Sequence, residues 1–225
     1  CVSGDIILAI AMTEPDAGSD LAGMRATAID QGDHFLLNGS KTFISNGVNA
    51  DLIIVAAKTE PVNNPRQIGL FLVERGMDGF ERGRNLKKMG KKAQDTAELF
   101  FTNVKIPREN VLGDPAKGFS YLMEALAEER LIAATEFIAA AQKAFDITLD
   151  FVRERKMFGK TLADFQNTQF KLAELRAELD MQQVYIDQCV TAVNQGALSA
   201  IDAAKAKLVT SELLCRVVDE GVQLH

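Results

Sequence analysis

AELFFTNVKIPRENVLGDPAKGFSYLMEAL, residues 97–126, contains the point where the chain changes its pattern. AELFFTNVKI is a run of strand length, and Pro107 closes it. From Gly118 onward Ala, Leu, Glu, Lys and Gln dominate, all good helix formers. The chain therefore divides into strands before this stretch and helices after it. That is an α+β, multi-domain arrangement, with domains expected over residues 1–110 and 111–225.

Upstream, IILAIAM (6–12), HFLLNGSKTFIS (34–45), DLIIVAAKT (51–59) and GLFLVE (69–74) are short apolar or mixed runs. Asn38-Gly39 is the strongest two-residue hairpin signal, and the EPVNNPRQ loop splits the third and fourth runs. Short strands joined by tight turns predict a small antiparallel barrel or sandwich. Downstream, the composition predicts helices over 118–153, 163–194 and 198–223, broken at FGKT and NQGALS. Short connections between long helices imply an antiparallel bundle. Three such helices leave a groove that a fourth would fill.

The 225 residues are 47% hydrophobic and 25% charged, ordinary for a globular protein. A formal net charge of -6 disfavours nonspecific binding to nucleic acid or anionic membranes. No apolar run reaches the length of a transmembrane segment. No signal-peptide pattern opens the chain. Cys1, Cys189 and Cys215 follow no metal or redox spacing and read as reduced, mostly packed thiols. His34 and His225 lack partners at ligand spacing, so no metal is expected. No nucleophile elbow, P-loop or dinucleotide fingerprint occurs. A chain that starts at Cys1 and ends inside a helical pattern reads as an internal piece of a longer protein.

Four segments carry candidate chemistry. AMTEPDAGSD (11–20) packs the hydroxyls of Thr13 and Ser19, several turn formers and free backbone donors into one turn. It is either a well-built surface turn or a cradle for a polar ligand. In KTFISNG (41–47), Phe43 is a core aromatic or one wall of a ring site, and Ser45 stands beside it. On a helical wheel of residues 122–136, Leu122, Ala125, Leu126, Glu129, Ile132, Ala133 and Glu136 share a face. A carboxylate within an apolar stripe gains basicity through burial, which suits a general base. The wheel leaves Glu129 and Glu136 as rivals, and an ion pair is the plainer fate of either. RERKMFGK (153–160) ends a helix in basic residues that the helix dipole alone explains. Alternatively, Arg155 binds phosphate and Phe158 packs on a heterocycle. The basic loop GRNLKKMGKKAQDT (83–96) is a solvated run or an anion site.

AMTEPDAGSDL, NGSKTFISNG, MGKKAQDTAELFF, the EER of LAEERL, ERKMFGK and FQNTQFKLAEL occur here in the order seen in acyl-CoA dehydrogenases. Over essentially its whole length the chain resembles that family, most closely its long-chain branch. The resemblance implies a flavoprotein with an N-terminal helical domain, a middle β-domain and a C-terminal helical bundle, usually tetrameric. This chain would hold the end of the first domain, all of the second and most of the third.

By the same resemblance, Met12, Thr13 and Ser19 meet the flavin ring of FAD, and Ser19 also contacts acyl-CoA. Phe43 takes a position where the family often has Trp, and Ser45 bonds flavin N5. Arg155, Phe158 and Gln166 reach the FAD of a neighbouring subunit. Glu129, directly before Arg130, fits the long-chain and isovaleryl placement of the base, and Arg130 lies near the CoA part. Leu122, Ala125 and Leu126 would line the acyl groove.

The implied reaction, part of fatty-acid or branched-chain acyl oxidation, removes the α-proton with Glu129 and passes the β-hydride to flavin N5. The product is a trans-2-enoyl-CoA. An FAD ribityl hydroxyl and a late-loop N–H would stabilise the enolate. Electron-transfer flavoprotein would reoxidise the cofactor. Bacterial cytoplasm and mitochondrial matrix both fit. The alternatives are an acyl-CoA oxidase or monooxygenase on the same scaffold, or a non-catalytic assembly module.

Overall fold

The switch after Pro107 is real, and it separates two differently built halves. The computed structural model describes residues 2–60 and 64–225, so Cys1 and residues 61–63 of the EPVNNPRQ loop lie outside it. The chain divides into two compact units, Cys1–Leu122 and Met123–His225. This division falls beyond the expected boundary at residue 110. Leu112 donates its N–H to the Leu70 carbonyl, and Val111 bridges to Phe71, so the connector belongs to the sheet.

The first unit is built on seven strands: β1 (Leu8–Ala11), β2 (Thr27–Asp30), β3 (His34–Ser45), β4 (Leu52–Glu60), β5 (Asn64–Glu74), β6 (Phe80–Asn85) and β7 (Thr96–Pro107). They form one sheet in the order β1-β4-β2-β3-β7-β6, with β5 also paired to β4. The sheet is mixed, which corrects the antiparallel expectation. Strand β1 runs parallel to β4, with Leu8 opposite Leu52, and β2 meets β4 in parallel at Thr27 and Lys58. No hairpin joins β1 to β4. Some forty residues separate them, and a long crossover permits parallel pairing.

The hairpin expected at Asn38-Gly39 is absent. The pair lies inside β3, where the register against β7 shifts between Leu37 and Gly39. Asn38 Oδ1 accepts the N–H of Asn103 at 2.8 Å, and Asn103 itself has φ 53°. Gly39 has φ +141°, and a Cβ there would stand 2.6 Å from the Cβ of Ala26. The dipeptide makes a bulge and a close strand approach, which need the same freedom as a turn. The Asn46-Gly47 turn does form, with Asn46 at φ 61° and the Ala50 N–H on the Asn46 carbonyl at 2.7 Å.

Strand β4 explains the unbroken apolar run of DLIIVAAKT. Ile53, Val55 and Ala57 face the main core with Phe35, Leu37, Phe71 and Leu99. Ala56, on the other face, joins a second cluster with Ala17, Met24, Ile68, Leu70 and Leu122. A strand covered on both faces loses its alternation. Strands β2 and β6 have no counterpart among the expected runs, since FERGRN is largely polar.

The helices match expectation closely: α1 (Gly118–Glu154), α2 (Gln166–Asn194) and α3 (Ala200–Leu224). Gly118 opens α1 because a Cβ there would lie 2.7 Å from the Ile68 carbonyl. Between α1 and α2 lies a two-stranded hairpin, β8 (Lys156–Met157) with β9 (Lys160–Thr161). A 3-10 turn, Leu162–Asp164, follows and delays α2 to Gln166. Thr161 and Asp164 close that turn as a reciprocal capping box. Ser199 caps α3 by accepting the Asp202 N–H at 3.0 Å.

The bundle core takes Leu131, Ala134, Ile138, Ala141, Phe145 and Val152 from α1, with Leu172, Leu179 and Ile186 from α2 and Leu213 and Val217 from α3. This stripe on α1 differs from the one expected. Ile132 is 69% exposed, and Glu129 and Glu136 are exposed as well. The wheel over residues 122–136 was ambiguous because apolar residues surround that half of the helix. Extended further, the Glu129 face meets Lys143 and Asp150, whereas the observed face meets Phe145 and Val152. The longer register wins. Cys189 is buried and Cys215 exposed, both as free thiols.

Candidate functional site

The turn after β1 is anchored from behind. Lys41 on β3 has a fully buried side chain, and its Nζ lies 2.8 Å from Glu14 Oε1, itself 5% exposed. The same ammonium donates to the Met12 carbonyl at 2.9 Å. Glu14 also accepts the Arg25 N–H at 2.6 Å and the Ala26 N–H at 3.1 Å. Every charge in this cluster has a partner, the condition for burying charge at tolerable cost. Burial holds the Lys41 ammonium below the usual lysine range, and its bond to Glu14 pulls the other way. In front of the pair, Thr42 donates its N–H to the Thr13 carbonyl at 2.9 Å. Glu14 and Ala17 exchange backbone bonds across the turn, leaving Ser19 exposed beyond it.

Strand β3 bulges immediately after Lys41. Lys41 faces Leu99 and Ile44 faces Ala97, so one strand supplies an extra residue. Phe43 sits in that bulge at φ 57° and 68% exposed. An aromatic residue in the left-handed region is costly, and such conformations gather at sites of function. Ser45, two residues on, is exposed and pairs with Thr96. Asn46 reaches back to the Leu8 carbonyl at 3.2 Å. The two bonds, Thr42 to Thr13 and Asn46 to Leu8, tie the 8–13 segment along the 42–46 segment. Met12 and Thr13 therefore run beside the stretch that carries Phe43 and Ser45.

The helical unit shows its candidates differently. Glu129 is exposed on α1, and Arg130 and Leu126 are half-buried. The buried acid expected from the wheel is therefore absent from the chain by itself. Leu122 packs with Met24, Ala56 and Leu70 in the β unit's second cluster. At the hairpin after α1, Phe158 and Gly159 take φ 52° and 82°, a primed turn between β8 and β9. Phe158 is 88% exposed at its tip. Arg155 donates its N–H to the Phe151 carbonyl at 2.9 Å and accepts from the Leu162 N–H at 2.9 Å, which fixes its backbone and leaves the guanidinium exposed. Gln166 is exposed at the start of α2. Lys160 lies 4.0 Å from the Phe165 ring centroid. In the basic loop, Lys88 bonds the Gln94 carbonyl and the Thr96 hydroxyl, so at least this lysine has a structural task.

Sequence reasoning passed over Glu14 and Lys41. One available signal was a lysine in the middle of a strand that otherwise feeds the core.

Residues 9–104 match the acyl-CoA dehydrogenase middle domain, and residues 116–225 match the acyl-CoA dehydrogenase C-terminal domain. The chain belongs to the acyl-CoA dehydrogenase family. It is 48% identical to the mitochondrial long-chain specific acyl-CoA dehydrogenase of Rattus norvegicus, over 99% of this chain and 52% of that protein. It is 37% identical to the caffeyl-CoA reductase-Etf complex subunit CarC of Acetobacterium woodii, over 100% of this chain and 59% of that one. The crystal structure of acyl-CoA dehydrogenase from Geobacillus kaustophilus superposes with a TM-score of 0.97 at 47% identity, covering 100% of this chain and 60% of that one. The chain thus spans about half the length of the curated relatives it matches. Among the described residues, no helix is long and apolar enough to cross a membrane.

Proposed function

We propose that the intact protein containing this chain is an FAD-dependent acyl-CoA dehydrogenase, forming a trans-2-enoyl-CoA from a saturated thioester. The observation that carries this reading is the outward Phe43, held left-handed beside the anchored Met12–Thr13 turn, in a chain of this family. The donor set there fits a flavin ring. Thr13 and Ser45 offer neutral hydroxyls to its polar rim, and Phe43 offers a face to its flat surface. Bound FAD supplies the acceptor for two electrons and the β-hydrogen.

The chain's own residues do the rest. Met12, Thr13, Phe43 and Ser45 hold the ring, and Ser19 meets both ring and thioester. Glu129 takes the α-hydrogen as a proton. The β-hydrogen leaves with its electron pair, and the double bond forms between the two carbons. Glu129 is exposed in this chain. A bound acyl chain lying over it would strip its water and strengthen it as a base. Arg130 attracts the anionic CoA part, and Leu126 with Ala125 borders the acyl chain. Leu122 is the third residue assigned to the acyl chain. Residues up to 110 form the flavin-binding domain, and the helical remainder brings the base.

Arg155, Phe158 and Gln166 act in trans in this reading, on FAD held by a second copy of the chain, within a tetramer. The exposed hairpin tip suits that role. Electron-transfer flavoprotein is the proposed oxidant, supported by the Etf-complex subunit among the relatives.

Anaerobic mixing of the intact yellow protein with an acyl-CoA tests the reading. Wild-type flavin should bleach. Glu129→Gln should keep its colour and bind the thioester, but bleach about a thousandfold more slowly, within the usual range for losing a general base. A normal rate in that variant removes Glu129 as the base. A colourless protein that takes up no FAD removes the whole reading, and fast peroxide release in air replaces it with an oxidase.

A further inference from the structure

The flavin-facing edge is set by a residue that no ligand would touch. Lys41 lies behind the turn with no side-chain exposure. It nonetheless holds three parts of the β unit in register. Its ammonium pulls the Met12 carbonyl and the Glu14 carboxylate onto β3 at 2.9 and 2.8 Å. Glu14 in turn grips the N–H groups of Arg25 and Ala26. Ala26 is the residue whose methyl meets Gly39 across the strands, so the grip extends to β2 and β3. Two residues beyond Lys41 stands Phe43, whose left-handed backbone needs its surroundings to stay fixed.

From this arrangement we infer that Lys41, through Met12 and Glu14, is the positioning residue for the Met12–Thr13 side of the flavin wall relative to Phe43 and Ser45. The inference rests on the flavin reading given above. Three facts favour a positioning role over simple stabilisation. The ammonium bonds a backbone carbonyl of a proposed wall residue directly. Thr13 and Thr42, on either side of the anchor, are bonded to each other at 2.9 Å. Stability alone does not call for the charges, since replacing a buried ion pair whole, Lys41 and Glu14 together, by packed hydrocarbon is often neutral or stabilising, whereas removing one partner strands the other. The charge is retained where it orders the turn.

Two measurements on the intact protein test this, and the first needs no cofactor. In apo-protein, Lys41→Met should speed hydrogen exchange of the Thr42 amide and of residues 12–14 by at least about tenfold, the scale of one lost charge-assisted bond. Exchange in the core of β4 should hold. Second, the dissociation constant for FAD, read from quenching of flavin fluorescence, should rise by about tenfold or more, and the visible absorption envelope of any bound flavin should shift.

Val104→Ala is the control. It opens a cavity at a fully buried core position of β7 and should lower the melting temperature without changing FAD affinity. Lys41→Gln keeps a neutral donor of similar length. It should give an intermediate loss of affinity if Lys41→Met fails to fold. Wild-type exchange at Thr42 together with wild-type FAD affinity in the folded variants overturns the inference. An equal loss of affinity in Val104→Ala also overturns it, since the effect would then be general. A wild-type protein that binds no FAD fails the flavin reading instead, and the exchange experiment still decides whether Lys41 orders the turn.

Discussion

The β unit and the helical unit offer their candidate residues in opposite ways. In the β unit the main chain does the placing. Phe43 is locked at φ 57° by a bulge, and the Met12–Thr13 segment is drawn inward by a buried ammonium. In the helical unit, Glu129, Arg155 and Gln166 stand on exposed surface, and Phe158 tops a hairpin at 88% exposure. Long side chains on an open surface keep their rotamer freedom until something covers them. The contrast teaches that the candidate groups of one unit are fixed by its own main chain, while those of the other are not.

The sharpest way to break this comparison is to ask which face of α1 holds the bundle. Ile138→Ala removes a side chain only 2% exposed and should cost about 2–5 kcal/mol, read by denaturant unfolding. Ile132→Ala, on the Glu129 face, should stay within about 0.5 kcal/mol. Comparable losses would mean that the Glu129 face is covered after all.

A smaller effect sharpens the account of the β unit. Phe43→Gly and Phe43→Ala both remove the ring and should both weaken FAD binding. The glycine variant should nonetheless be the more stable by about 1 kcal/mol, the cost of a Cβ in the left-handed region. Equal melting temperatures would show that Phe43 bears no backbone strain.

The smallest change in stability is expected at the hairpin. Arg155→Ala should leave the unfolding free energy nearly unchanged, within about 0.5 kcal/mol, because the residue is exposed. FAD retained through gel filtration should fall. Full retention would remove Arg155 from the cofactor's surroundings.

The sequence disclosed the long features and concealed the crossing ones. Helices of 25 to 37 residues carry enough repeats for composition and period to locate their ends within a few positions. A wheel over residues 122–136 does not fix the phase of α1, because both faces of that half carry apolar residues. Residues Lys143 and Asp150 decide it. Asn38-Gly39 failed as a hairpin because a bulge and a turn ask the same backbone freedom of the same residues. The parallel pairing of β1 with β4 and the meeting of Glu14 with Lys41 join residues far apart along the chain, which no local pattern records. The turn at 11–20 displays its hydroxyls in the sequence, yet it is held by the Glu14 carboxylate, whose burial no local pattern marks.

An amine sealed inside a protein is also a clock. Reagents that acylate lysines reach the exposed ones at once but find Lys41 only when the sheet opens, since its side chain has no exposure. The rate at which that one nitrogen becomes labelled therefore counts opening events in the β unit, with no engineered reporter.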